Sequence, residues 1–169
     1  MKSTVITIAV LVAFVLAGCG KSEVQKKLES ELNNEVMKIH DATMATITKA
    51  TDLTSQLDAA VALQDSLAKR FPKAFEGKTT DDLTAAKQKL AGVKDEMEKW
   101  MKGHKAYDPN AKHDEILAQL KKDKEDLTKI KSDVDGAVAA ATTAIESHKQ
   151  LAADAVAKTA NLVKKVVKK

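Results

Sequence analysis

The feature that most constrains this chain is an apolar seam that advances by alternating steps of three and four residues. Over the first half it reads Leu32, Val36, Ile39, Thr43, Thr46, Ala50, Leu53, Leu57, Ala60, Gln64, Leu67 and Phe71. Residues so spaced share one face of an α-helix, and a stripe this narrow is buried by neighbouring helices. Ser22 and Gln25 stand at capping-box spacing ahead of it, so the helix is expected to begin at Ser22. Pro72 disfavours helix at Phe71 and ends the run after roughly 70 Å. Pro72 to Lys78 then reads as a turn, with Phe71 and Phe75 capping the bundle end. A second stripe, Leu83, Ala86, Leu90, Val93, Met97, Trp100 and His104, predicts a helix that starts at Thr79 or Thr80 and weakens at Gly103. Asp108-Pro109 pairs an N-cap residue with proline at the first helical position and predicts the start of a third helix. Its stripe is Ile116, Leu120, Leu127, Ile130, Val134, Ala141, Ile145, His148, Ala155, Leu162 and Val166. Gly136 leaves two outcomes open: a continuous third helix that projects beyond the short second one, or a bend that folds it back as a fourth segment. The expected fold is all-α, an antiparallel bundle of three long helices, with a cleaved signal helix ahead of it.

That leading segment has its own signature. Lys2 is followed by Val5 to Ala17, apolar apart from Thr7, and then by Leu16-Ala17-Gly18-Cys19 with the chain's only cysteine. The apolar stretch is short for a bilayer span. The segment resembles a bacterial lipoprotein signal peptide with its lipobox. The resemblance implies cleavage before Cys19, diacylglycerol on its sulfur and an acylated new N-terminus. It divides the chain into a signal peptide (1–18), a lipidated terminus (19–21) and a helical domain (22–169). It also implies a place in the bacterial cell envelope, with the membrane as partner through the lipid. Gly20 follows Cys19 in place of an acidic retention residue, which favours the outer membrane, facing the periplasm. No cysteine remains for a disulfide, so stability must come from helix packing alone.

Composition removes several function classes. The formal net charge is +4, and charges of both signs alternate along the helices, as solvated faces do; no nucleic-acid partner is expected. There is no Gly-rich phosphate loop, no HExxH, no nucleophile elbow and no cysteine nucleophile, so no catalysis is expected either. The alanines and threonines on the seam make a thin core, which leaves homo-oligomerisation open as a way to bury more apolar area.

One constellation carries chemistry. The four methionines after the initiator fall in two groups, Met37 and Met44 around His40, and Met97 and Met101 before His104, with Trp100 inside the second. Spacings of three and four put each group on one helix face, and an antiparallel hairpin brings the two into the same half of the bundle. Thioether and imidazole together suit Cu(I), and an indole face attracts a cation. Met37, His40, Met44, Met97, Met101 and His104 are therefore candidate copper ligands. The plain alternative is that the methionines fill gaps in a sparse core and Trp100 packs. His148 lies on the third stripe and is expected partly buried with a water or carboxylate partner; His113 is expected to be solvated.

Val36-Met37-Lys38-Ile39-His40-Asp41 with Met44, and Met97-Glu98-Lys99-Trp100-Met101, resemble a group of small helical bacterial lipoproteins labelled viral A-type inclusion protein. The resemblance covers roughly residues 24 to 150 and carries no activity. It implies a shared patch of His40, Asp41, Met44, Trp100 and Met101, which either packs or binds. The chain departs from that pattern in placing Gly103 before His104. The Lys-rich end, Lys164 to Lys169, reads as a solvated helix terminus, as a segment touching anionic lipid, or, through Lys169, as similar to murein lipoprotein with its link to peptidoglycan. Together these features lead us to expect a lipid-anchored module with a structural or interaction role toward an envelope protein or peptidoglycan, and copper binding as the alternative.

Overall fold

The computed structural model describes residues 21–167, with side chains as far as Asn161. The segment expected to be a signal peptide and Cys19 lie outside these residues, as do the side chains of the lysine-rich end. The chain forms three helices, α1 (Glu23–Arg70), α2 (Asp81–Gly103) and α3 (His113–Val167), with a 3-10 turn at Pro72–Ala74. No strand occurs among the described residues, and the fold is an all-α three-helix bundle.

Local chemistry sets most of the boundaries. Ser22 Oγ accepts the Gln25 N–H at 3.2 Å while Gln25 Oε1 accepts the Ser22 N–H at 2.9 Å, closing the capping box. α1 stops at Arg70, one residue before the Phe71-Pro72 step. Gly77 adopts φ +72°, where a side chain is strained, and turns the chain toward α2. α2 starts at Asp81 without a side-chain bond from Thr80; Asp82 Oδ1 instead accepts the Leu83 N–H at 2.9 Å. The third helix does not start at Pro109. Asp108 closes a separate turn, its Oδ1 accepting the Asn110 N–H at 2.8 Å and its carbonyl the Ala111 N–H at 3.0 Å, and α3 begins only at His113.

The helices run up, down and up. α1 and α3 are parallel: partners 84 residues apart meet near both ends of their interface, Glu29 with His113 and Gln64 with His148. α2 lies antiparallel to both, tied by Lys87 to Asp58 at 2.6 Å and by Asp82 to His148 at 2.8 Å. α3 is continuous through Gly136, where a Cβ would meet nothing within 4 Å, so no fourth segment forms. With this register Arg70 is level with residue 154, and α3 continues about 20 Å beyond α1. At the other end α1 overhangs α3, because Glu29 is already level with His113. α2 reaches neither end.

The core is a single seam. Val36, Leu57, Leu83, Leu90, Met97, Ile116, Leu120, Leu127 and Val134 are buried, spaced by Ala50, Ala86 and Ala141. Buried side chains of this size contribute about 1.5–3 kcal/mol each, so the larger residues hold the bundle and the alanines let the helices approach. Thr43 joins the seam because its hydroxyl donates to the Ile39 carbonyl at 2.7 Å and so brings no unpaired polar atom into the core.

Candidate functional site

The most unusual chemistry lies where all three helices meet, at the lower end of α2. Gly103 ends that helix, and His104 as its C-cap turns extended (φ −67°, ψ 132°) while its N–H donates to the Trp100 carbonyl at 2.7 Å. The His104 ring thereby stacks on Trp100, centroids 4.6 Å apart and planes 17° from parallel. His40 of α1 approaches the same indole at 5.8 Å and 34°. Each imidazole has a carboxylate at Nδ1: Asp41 Oδ1 at 3.0 Å from His40, and Asp123 Oδ2 of α3 at 3.2 Å from His104. An array Asp41–His40–Trp100–His104–Asp123 thus crosses the bundle.

The array is only partly satisfied. Trp100 Nε1, His104 Nδ1 and Asp123 Oδ2 are shut away from solvent without an aligned hydrogen-bond partner, the last two close enough for charge attraction but poorly oriented for a bond. Among the described residues these are the buried side-chain atoms left unpaired, and they fall in one place. Buried polar atoms are normally paired, so such a group marks a site that holds water, an ion or a ligand, or one that costs stability.

The methionines divide. Met97 is fully buried within the apolar core, and Met44 packs partly against it, as expected of gap fillers; Met37 and Met101 are exposed. Asp41 is exposed apart from its contact with His40. Among the described residues no three His, Cys, Asp or Glu side chains converge as a metal set.

Two further histidine contacts close the bundle's ends. At the base, Glu29 is buried rather than on a solvated face. Lys21 Nζ donates to its Oε2 at 3.0 Å and to the Pro109 carbonyl at 2.7 Å, and His113 Nδ1 lies 2.8 Å from its Oε1. His113 is therefore a partner of a buried carboxylate, correcting the expectation of a solvated residue. Burial pushes the Glu29 carboxyl up; hydrogen bonds from His113 and Lys21, with their charges, outweigh it and hold it below its ordinary value of 4.5. At the far end His148 is buried as expected, its Nε2 2.8 Å from Asp82 Oδ1 and its Nδ1 against Gln64 Oε1, while Gln64 Nε2 donates to the Thr79 carbonyl at 3.1 Å. Beside this contact an apolar cleft of about 200 Å³ opens between α1 and α3, walled by Ala59, Leu63, Phe75, Ile145 and Ala152.

Asp123 and Glu29 were not anticipated from the sequence, yet each occupies a seam position. Asp123 falls three after Leu120 and four before Leu127, and Glu29 three before Leu32. A charged residue in register with an apolar stripe was the available signal.

No protein-family model matches the chain, and neither does any curated protein or solved structure.

Proposed function

We propose that this chain is a lipid-anchored helical module of the bacterial cell envelope with a structural or protein-interaction role. It faces the periplasm, and an envelope protein or peptidoglycan is its partner. One observation carries the reading: the two ends of the bundle differ. The end nearest Cys19 is closed by the Lys21–Glu29–His113 cluster, while the opposite end, about 50 Å away along parallel helices, carries the apolar cleft beside Leu63. A tether at one end and a recognition surface at the other suit a module that reaches away from its membrane. No helix of the described residues is long and apolar enough to cross a membrane; the attachment in this reading is the lipid on Cys19. Labelling with radioactive palmitate tests the anchor. Incorporation lost in Cys19→Ser, with release of the chain from the envelope, is the expected result; incorporation that never occurs, with unchanged localisation in the variant, overturns it.

A second reading, copper(I) binding or buffering, is favoured by the orientation of the two histidines. Ligating histidines commonly have a carboxylate at the other ring nitrogen. His40 has Asp41 at Nδ1, and His104 has Asp123 3.2 Å from its Nδ1 though not aligned for a hydrogen bond; this reading puts a soft ion at the Nε2 atoms, with Met44 and Met101 as thioether donors. Titration with Cu(I) against a competing chelator, followed by Trp100 fluorescence, decides it: an affinity unchanged in a Met44→Leu, Met101→Leu double variant removes the site.

A further inference from the structure

A short apolar run flanks the seam at the base of α1. Val24, Leu28, Leu32 and Val36 follow one another at four-residue spacing, and only the last is fully buried. Leu32 is partly covered, whereas Leu28 is 46% and Val24 77% exposed. Facing and register both contribute: Leu28 points away from the buried Glu29 beside it, and Val24 lies below its helical neighbours. α3 begins level with Glu29, and α2 ends level with about residue 40, so neither covers the first turn and a half of α1. Two apolar side chains thus stand exposed on one helix face at the base, Val24 about 7 Å below the level of Glu29 and Leu28 just below it.

The position of the overhang identifies what covers it. Lys21 is locked onto the bundle through Glu29 and the Pro109 carbonyl, and the capping box starts the helix immediately afterwards. Cys19 is two residues from Lys21, a reach of at most about 7 Å even for fully extended chain. No linker separates the anchor from the folded domain. We infer that Val24 and Leu28 form a seat for the bilayer surface itself: the first two turns of α1 enter the headgroup and acyl boundary beside the lipid on Cys19, and the bundle is held base-down. Over residues 21–31 the charges balance, Lys21, Lys26 and Lys27 against Glu23, Glu29 and Glu31, so the seat is apolar and does not select anionic lipid. This inference rests on the lipid-anchor reading and adds to it the partner of the base.

The test uses the full chain, processed in a bacterial envelope, purified and reconstituted into phosphatidylcholine vesicles with brominated acyl chains. Val24→Cys and, separately, Leu63→Cys carry a bimane fluorophore; both positions are exposed, so the fold tolerates the label, and helical content by circular dichroism checks it. Bimane at position 24 is expected to be quenched severalfold more than at position 63, to the same degree with or without anionic lipid. Equal quenching at the two positions in a chain whose mass spectrum shows acylated Cys19 overturns the seat and leaves the anchor standing. Shielding at position 24 that disappears when the protein is diluted at constant lipid assigns the face to a second copy and also overturns it. A bare Cys19 sinks both readings.

Discussion

The base and the far end of the bundle are closed by the same pair of groups used in opposite ways. Each end joins α3 to another helix through a histidine and a carboxylate 2.8 Å apart. At the base the carboxylate is the hidden member: the Glu29 side chain is 3% exposed and His113 17%. At the far end the histidine is hidden, 8% exposed against 56% for Asp82. The difference decides which partner is indispensable. A buried carboxylate cannot be left alone without either paying for desolvated charge or taking up a proton, which explains why Glu29 has two cationic partners. At the far end the carboxylate is the exposed member, and it is solvated whether or not the histidine is present. The base is thus an electrostatic clamp, and the far end a hydrogen-bonded latch on the 71–80 connection.

The largest expected effect is therefore at the base, and it depends on pH. Because the folded state holds Glu29 below its ordinary value, its contribution is complete above about pH 4.5 and is lost as pH falls through the lower folded value. Thermal unfolding of the wild type should weaken steeply in this acid window. Glu29→Gln should be less stable at pH 7 and show a flatter acid slope, the two curves drawing together as the pH falls below the ordinary carboxyl range; parallel curves over the whole range would show that Glu29 is no clamp. Next in size is the latch. His148→Ala removes a buried ring bonded to two elements and should cost about 1–3 kcal/mol in urea unfolding. Asp82→Asn removes the charge of the exposed member but keeps an acceptor for the Leu83 N–H and for His148 Nε2, and should cost less than about 1 kcal/mol. Costs in the reverse order would mean that the two ends are built alike after all.

How much of this could be read in advance follows from the range of each interaction. The capping box at Ser22 and Gln25, the stop before Pro72 and the three apolar stripes are local, and the helices form where those residues lead. Asp108-Pro109 misled because a capped turn and a capped helix begin with the same residues; what separates them is whether the chain continues in register, and here it waits until His113. The position of the His40–Trp100–His104 stack needed only the antiparallel hairpin of α1 and α2. The carboxylates needed the third helix. That His113 faces Glu29 and Asp123 faces His104 depends on the 84-residue offset between α1 and α3, which no local pattern encodes.

The central array gives the smallest effect and the sharpest contrast with both ends. There the histidine–carboxylate pair is misaligned, and its buried atoms are unpaired. Asp123 sits on a stripe whose other members include Ile116, Leu120, Leu127 and Ile130, so leucine at this position continues the seam. Replacing a poorly satisfied buried charge by an apolar residue is often neutral or stabilising. Asp123→Leu should therefore raise stability by about 0.5–1 kcal/mol in urea unfolding, while His104 loses its carboxylate and the Trp100 emission changes. A residue kept at a cost to the fold is kept for another purpose, so this gain, together with weaker Cu(I) binding, would tie Asp123 to ligand chemistry. A loss of stability would show instead that the array clamps the middle of the bundle as Glu29 clamps its base.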